Sequence, residues 1–230
     1  MIGISELFGI RLTQNFKTPY FSENISDFWK RWHITLSSFL RDYIYIPLGG
    51  NRRGKVRKYL NILTVFIISG IWHGKGTGFV IWGLIHGISS VLEGLVRDTK
   101  LSFLIRGITG RIVTFCIVSF AWIFFRAGTF GDSMTYISCM FTSRGNEQGL
   151  LKLSTEPCFS GIQTVILLTV TAILFIADLI SCRKETLVPE IIINTGEIRR
   201  DTAFLLLAVT VLIFGVYGDS TIGTFIYMNF

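Results

Sequence analysis

The sequence is poor in charged residues. Of its 230 residues only 16% are Asp, Glu, Lys or Arg, whereas 50% are hydrophobic, and the mean hydropathy is +0.55. Ordinary soluble domains carry charge on about 25% of their residues, so a soluble domain is excluded by composition. Several apolar runs approach the roughly 20 residues that cross a bilayer core. We therefore predict an integral membrane protein.

Cysteine is scarce as well, and the motifs of several enzyme classes are missing. The four cysteines are widely spaced and form no CxxC pair (Cys116, Cys139, Cys158 and Cys182), which disfavours a metal or redox site. The sequence has no phosphate-binding Walker loop, no GxSxG elbow and no HExxH pair. ATPase and hydrolase functions lose support from these absences.

A secretory signal is also lacking at the start. Residues 1–12 are short, have no basic n-region and have no small-residue cleavage site. We interpret this stretch as the tail of a helix that begins earlier, in a longer protein.

The excess of basic residues gives a net charge of +7. These residues lie in short clusters between apolar runs, and the clearest cluster is Asn51–Lys58. Such clusters are typical of cytoplasmic loops in membrane proteins rather than of nucleic-acid binding. The cluster could also attract an anionic donor, such as a nucleotide-bearing thioester or an acidic carrier protein. A role in membrane topology is favoured over that alternative.

Hydrophobic spacing predicts an all-α fold. Helices are expected over Ile25–Tyr45, Tyr59–Trp72, Phe79–Val96, Arg111–Phe125, Phe130–Phe141, Gly161–Ile180 and Thr202–Tyr217. The first is basic, aromatic and amphipathic, as in helices that lie in the membrane interface. Glycines between Gly70 and Gly78 indicate a broken helix around a cavity. We predict a single domain over residues 1–230, a polytopic transmembrane helical bundle with interfacial and re-entrant helices.

The sharpest local signal is Trp72-His73-Gly74, at the end of a hydrophobic run. An imidazole can accept a proton near neutral pH, and the adjacent glycine would let a substrate approach it closely. The alternative is a histidine that only bonds a neighbouring carbonyl, and the residues alone leave both interpretations open.

The other ionisable candidates have simpler explanations. His33 follows Trp29-Lys30-Arg31-Trp32, a composition that favours an interfacial anchor. His86 has the surroundings of a packed helix histidine. Arg41 and Asp42 favour a structural ion pair, because charges near lipid need partners.

Several stretches resemble the signature of the membrane-bound O-acyltransferases, the MBOAT family. They are Asn15-Phe16, Pro19-Tyr20, Ile25–Ser37, Leu40–Tyr43, Tyr45–Arg52, Gly70–Gly74, Trp82–Gly87 and Phe225–Tyr227. The segment Pro47–Arg52 is most similar to the bacterial branch that serves alginate O-acetylation. The resemblance covers essentially the whole chain, but only the C-terminal half of a typical family member, whose N-terminal helices are lacking here.

The resemblance implies roles for particular residues. His73 matches the catalytic histidine, and His33 matches a second position close to the reaction centre. His73 would then act as general base on an acceptor hydroxyl that attacks an acyl thioester. His33 would orient a substrate or stabilise the developing oxyanion. Supporting roles are expected for Trp29, Arg41, Asp42 and Trp72, and no metal is expected.

The implied function is a multi-pass O-acyltransferase of the bacterial cell membrane. It would transfer an acetyl group from acetyl-CoA or another acyl thioester, with no bound cofactor, to hydroxyls of an extracytoplasmic polysaccharide. Expected partners are the lipid bilayer, the polysaccharide or another hydroxyl acceptor, and an extracytoplasmic acetyltransferase, but no nucleic acid. The alternative is an inactive or partner-dependent fragment without catalysis of its own. A transporter ranks last, since it would show interrupted helices in two repeats.

Overall fold

The computed structural model describes residue 5 and residues 8–141, 161–184 and 196–214, and these residues form helices and no strand. The α-helices of these ranges are α1 (Ile25–Arg31), α2 (Ile34–Leu40), α3 (Gly54–His73), α4 (Thr77–Val96), α5 (Gly107–Ala127), α6 (Phe130–Phe141), α7 (Gly161–Lys184) and α8 (Glu197–Phe214). Short 3-10 segments cover Pro19–Phe21 and Lys100–Ile105, and a π-helical turn covers Arg41–Tyr45. The prediction of a helical protein is confirmed for this part of the chain.

The chain divides into two compact units, Met1–Phe175 and Ile176–Phe230. Every residue of the candidate site lies in the first unit. The single domain expected over residues 1–230 stays a prediction. Cys158 and the last three residues of the final predicted helix, 215–217, fall outside the described residues, as do Phe225–Tyr227.

Two helices of the described ranges, α4 and α5, are long and apolar enough to cross a membrane. Both leave large apolar side chains on their surfaces, including Leu92 and Leu95 on α4 and Ile108 and Ile112 on α5. Exposed apolar stripes of this kind suit contact with lipid. The length and composition of these two helices thus support a membrane helical protein. Helix α3 does not meet the same criteria of length and hydropathy.

Glycines set the distance between α3 and α4. A side chain at Gly70 would collide with the backbone carbonyl of Phe79, and one at Gly83 would collide with the carbonyl of Phe66. Small residues at such positions let two helix backbones approach closely. The interruption predicted between Gly70 and Gly78 is confirmed as a break: α3 ends at His73, and α4 begins at Thr77.

The predicted helix Ile25–Tyr45 is wrong as one continuous element. It breaks at His33, whose backbone is left-handed with φ 45°. The upstream loop supplies the reason: Lys17 N donates to Arg31 O at 2.9 Å, and Ile34 N donates to Asn15 O at 3.1 Å. These bonds satisfy backbone groups that the break removes from helical pairing. The apolar spacing is helical on each side of the break but gives no sign of it.

Helix α1 is fixed at its start by two side chains. Asn24 caps it by accepting from Asp27 N at 2.9 Å, and the buried Glu93 of α4 accepts from Ser26 N at 2.9 Å. Its apolar side packs Ile25 and Phe28 into a core with Val118 of α5. The helix that precedes His33 is therefore held against both α4 and α5.

Candidate functional site

His73 is the last residue of α3 and is half-buried among aromatic rings. Its ring meets Trp82 of α4 edge-to-face, with centroids 5.3 Å apart, and Phe125 of α5 at 5.2 Å. Gly74 follows with extended backbone, which ends α3 at this point. Three helices therefore converge on one imidazole.

His33 occupies the break between α1 and α2. A left-handed backbone is uncommon for a residue with a side chain, and such strain persists only where surrounding contacts impose it. Here those contacts come from Asn15, whose Oδ1 accepts from Thr35 N at 2.9 Å and from Thr35 Oγ1 at 2.7 Å. Nδ1 of His33 is buried and has no hydrogen-bond partner among the described residues. Its imidazole therefore keeps one nitrogen available for a ligand.

The two imidazoles influence each other electrostatically. Burial lowers the pKa of His73 to about 4, and a positive charge on the nearby His33 contributes to the same shift. Burial also lowers the pKa of His33. Both rings are therefore neutral at neutral pH, the state in which an imidazole nitrogen can accept a proton. The structure thus brings together the two histidines that the family resemblance singled out.

Around His73 lies a group of aromatic side chains that we call the ring cluster. Its members are Trp29, Trp32, Trp82, His86, Trp122 and Phe125. Trp122 stands 5.2 Å from Trp32, the residue before His33, and 5.2 Å from Phe125, which contacts His73. The cluster thus connects the two histidines through consecutive ring contacts.

Trp29, a predicted supporting residue, belongs to this cluster. Its indole Nε1–H donates to Nδ1 of the fully buried His86 at 3.3 Å. The expectation of a packed histidine at His86 is confirmed. The sequence analysis assigned no role in the site to Trp82 or Trp122. One available signal was spacing, because Trp82 and His86 lie four residues apart and thus share a helix face.

The other predicted supporting residues lie in exposed positions. Arg41 and Asp42 form an ion pair at 2.8 Å, with 62% and 47% of their side chains exposed. The structural ion pair expected from the sequence is confirmed. Trp72 leaves 54% of its surface exposed. Catalytic support from these three residues stays a prediction.

A pocket of about 410 Å³ opens beside the ring cluster. Trp29, Tyr59 and Phe66 form its aromatic wall, while its charged lining residues are Lys55, Lys58, Glu93, Arg97 and Asp98. Glu93 accepts from Arg97 at 2.8 Å and also holds the start of α1. Because Trp29 lines the pocket and bonds His86, one side chain reaches from the charged pocket into the ring cluster.

This arrangement suits proton transfer and the binding of polar groups in a dry environment. Its imidazoles are neutral, and aromatic rings surround them. Among the described residues, no three His, Cys, Asp or Glu side chains are grouped as metal ligands would be.

Comparison with known proteins gives consistent matches. The sequence model of the "MBOAT, membrane-bound O-acyltransferase family" matches residues 2–127. A protein of Helicobacter pylori named "Peptidoglycan O-acetyltransferase" is 46% identical over 146 residues, which are 63% of this chain and 28% of that protein. A Pseudomonas syringae protein named "Probable alginate O-acetylase AlgI" is 42% identical over 126 residues, 55% of this chain and 24% of its own length.

A more distant relative is the "Teichoic acid D-alanyltransferase" of Bacillus subtilis. It is 32% identical over 94 residues, covering 38% of this chain and 24% of that protein. The chain therefore spans only 24–28% of the length of these three relatives.

Proposed function

Because the chain belongs to the membrane-bound O-acyltransferase family, we propose that it carries the reaction centre of a membrane O-acyltransferase. The observation that carries this proposal is the neutral, half-buried His73 at the meeting of three helices, close enough to His33 for an electrostatic influence. A neutral imidazole in a partly desolvated site is a suitable general base for activating a hydroxyl group.

The proposed reaction is acyl transfer to an alcohol. His73 takes the proton of the acceptor hydroxyl as its oxygen forms a bond to the carbonyl carbon of an acyl thioester. The carbon–sulfur bond then breaks, and the leaving thiolate receives the proton from His73. In this scheme His33 orients the acceptor or donates to the developing oxyanion, and its buried Nδ1 supports such a contact.

The proposed donor is acetyl-CoA or another acyl thioester that carries a phosphate-bearing arm. The pocket beside the ring cluster supports this choice, since Lys55 and Lys58 line it together with aromatic side chains, whereas Arg97 is paired with Glu93. Cationic side chains attract phosphate groups, and aromatic walls suit an apolar arm. Trp29 would meet the acyl end, because it spans from this pocket to His86.

The proposed acceptor is a hydroxyl group of an extracytoplasmic polysaccharide. The relatives are named for peptidoglycan, alginate and teichoic acid. We propose that α4 and α5 cross the bacterial cell membrane as part of a polytopic bundle, with interfacial helices beside them. An extracytoplasmic acetyltransferase is the proposed protein partner for delivery to the polymer.

A second candidate is a partner-dependent or inactive fragment. It is favoured by one observation, the match to only 24–28% of the length of the relatives. Transfer by such a fragment would then require a second polypeptide that supplies further helices.

The test is acyl transfer in isolated membranes, with the chain alone and fused to the N-terminal part of a relative. We expect activity in the fused protein and a loss of about 10²–10⁴-fold in His73→Ala, the usual contribution of general base catalysis. Phe120→Leu, which removes an exposed ring of α5, is the matched control and should stay active.

Insertion and stability are measured for every variant. If His73→Ala keeps full activity, the proposed role of His73 is wrong. If the fused protein is inserted and stable yet transfers no acyl group, the fragment interpretation replaces the enzyme.

A further inference from the structure

Two nitrogen atoms of the ring cluster are buried without a hydrogen-bond partner among the described residues. They are Nε1 of Trp82 and Nε2 of His86. The indole of Trp122 differs, because the Tyr20 hydroxyl accepts from it. Trp82 and His86 expose 1% and 0% of their surfaces. Buried polar groups in folded proteins are nearly always paired, so each unpaired atom needs an explanation. A ligand that enters the cluster would supply one.

Both atoms are hydrogen-bond donors. An indole nitrogen can only donate. His86 accepts at Nδ1 from Trp29, so the neutral ring must carry its hydrogen on Nε2. The missing hydrogen-bond partner is therefore an acceptor in both cases.

The two donors lie close to the proposed base. Trp82 and His86 are one turn apart on α4, with ring centroids 5.0 Å apart. Trp122 of α5 stacks against Trp82 at 6.0 Å, and His73 contacts Trp82 at 5.3 Å. The donors thus lie within the ring contacts that surround His73. Hydrogen bonds in such apolar surroundings are strengthened by the low dielectric constant.

We infer that Trp82 and His86 form a binding surface for an oxygen atom that accepts hydrogen bonds, with Trp82 as its principal donor. Resting on the proposed function, this oxygen is the carbonyl oxygen of the acyl thioester. As the oxygen of the attacking hydroxyl bonds to the carbonyl carbon, the C=O electron pair moves onto the carbonyl oxygen. The pair returns to the C=O bond when the carbon–sulfur bond breaks and the thiolate leaves. Donors that face the oxygen stabilise the intermediate charge.

The first test removes one hydrogen atom. Trp82 is replaced by 3-benzothienylalanine, which keeps the shape of the indole but has sulfur where the N–H was. In the active fused protein we expect kcat to fall about 10²–10³-fold, as for other donors to an oxyanion. KM and the melting temperature should stay unchanged. An unchanged kcat, or a change confined to KM or stability, would overturn the inference.

The second test follows the indole N–H itself by nuclear magnetic resonance of protein labelled with ¹⁵N in its tryptophans. The probe is S-acetonyl-N-acetylcysteamine, whose ketone offers an acceptor oxygen but cannot be cleaved. Its N-acylcysteamine arm is the part that coenzyme A and carrier-bound donors share. We expect the Trp82 N–H resonance to move downfield on titration. A resonance that is unmoved at millimolar probe contradicts the inference.

The two tests separate this inference from the proposed function. A shifted resonance in a protein without transfer activity would support the binding surface and contradict the proposed enzyme function. Transfer activity together with an unchanged Trp82 N–H resonance would support the enzyme function and contradict the binding surface. Phe120→Leu, on the same helix as Trp122 but exposed, is the control for general effects of losing a ring and should leave both readouts unchanged.

Discussion

The ring cluster and the polar segment Arg41–Arg53 differ in how their polar groups are satisfied. In the polar segment, Arg41 pairs with Asp42, and Asn61 Nδ2 donates to the carbonyls of Leu48 and Gly50 at 3.3 and 3.0 Å. In the ring cluster, buried N–H donors are left without partners among the described residues. Satisfied groups explain a local structure, whereas buried unsatisfied groups point to a ligand. The conspicuous charges of the sequence are therefore the weaker guide to this site.

The largest expected effect comes from a side chain that forces α3 and α4 apart next to the ring cluster. In Gly83→Val, the new side chain meets the Phe66 carbonyl, so α3 and α4 must separate. Overpacking of this kind typically costs about 1–3 kcal/mol, and it would also displace Trp82. We expect a lower melting temperature in detergent and loss of acyl transfer.

Gly131→Ala is the matched control for this change. Gly131 lies in α6 with no atom near its missing side chain, and alanine favours a helix over glycine by about 1 kcal/mol. Its melting temperature should be equal or higher. Equal melting of Gly83→Val and the parent would show that the close approach of α3 and α4 is not needed.

A smaller effect is expected at the break that positions His33. Asn15→Ala removes the oxygen that accepts from Thr35 N and Oγ1. Loss of such a cap typically costs about 0.5–2 kcal/mol. Because this loop holds His33 in a left-handed conformation, we expect a clear loss of acyl-transfer rate even where the melting temperature falls only slightly. The measurements are the melting temperature and the rate of acyl transfer.

Asn15→Asp keeps an acceptor oxygen at the same place and serves as the control. It should retain most of the activity. If Asn15→Ala is as active as the parent, the break does not depend on this loop for its functional geometry.

The apolar helices were the predictable part of the fold. The interval Phe130–Phe141 matches α6 at both ends, and Phe79–Val96 differs from α4 only at its start. Their limits follow from local periodicity and from breakers such as Gly76, which a single sequence displays. Gly78 misled the prediction of the start of α4, because it lies inside the helix. The family resemblance carried by the motifs is likewise confirmed.

The contacts of the site could not be predicted in the same way, because they join distant residues. Trp29 bonds His86 across 57 positions, and Asn15 caps Thr35 across 20. Local spacing contains neither pairing. It showed an uninterrupted helix through His33, since the bonds that break the helix come from an upstream loop. Burial decided the rest: Trp82 is buried, whereas Trp72 is half-exposed.

A pH profile tests whether the surroundings of His73 differ from those of an exposed histidine. Burial and His33 lower the pKa of His73 to about 4. The base must be neutral to act, so the rate should stay level from neutral pH down to about 5 and fall as pH passes through about 4. A rate that already falls near 6.5, the usual histidine pKa, would contradict this burial.

His33→Asn sharpens the same measurement. It removes the neighbouring positive charge, which raises the pKa of His73, so the acid limb should move to higher pH even if the rate is lower throughout. Lys30→Gln is the control: it removes an exposed positive charge from α1 that is not among the causes of the His73 shift. Its acid limb should coincide with that of the parent.

The smallest effect is expected in the polar segment. Arg41→Gln breaks an ion pair whose two side chains are largely exposed, and water replaces the lost contact at little cost. Melting temperature and KM should both stay within error of the parent. A large rise in KM with unchanged stability would show that Arg41 touches a substrate. The charged segment would then share in the site, and the contrast with the ring cluster would fail. Asp42→Asn distinguishes the two outcomes, because it breaks the same pair but keeps the Arg41 guanidinium.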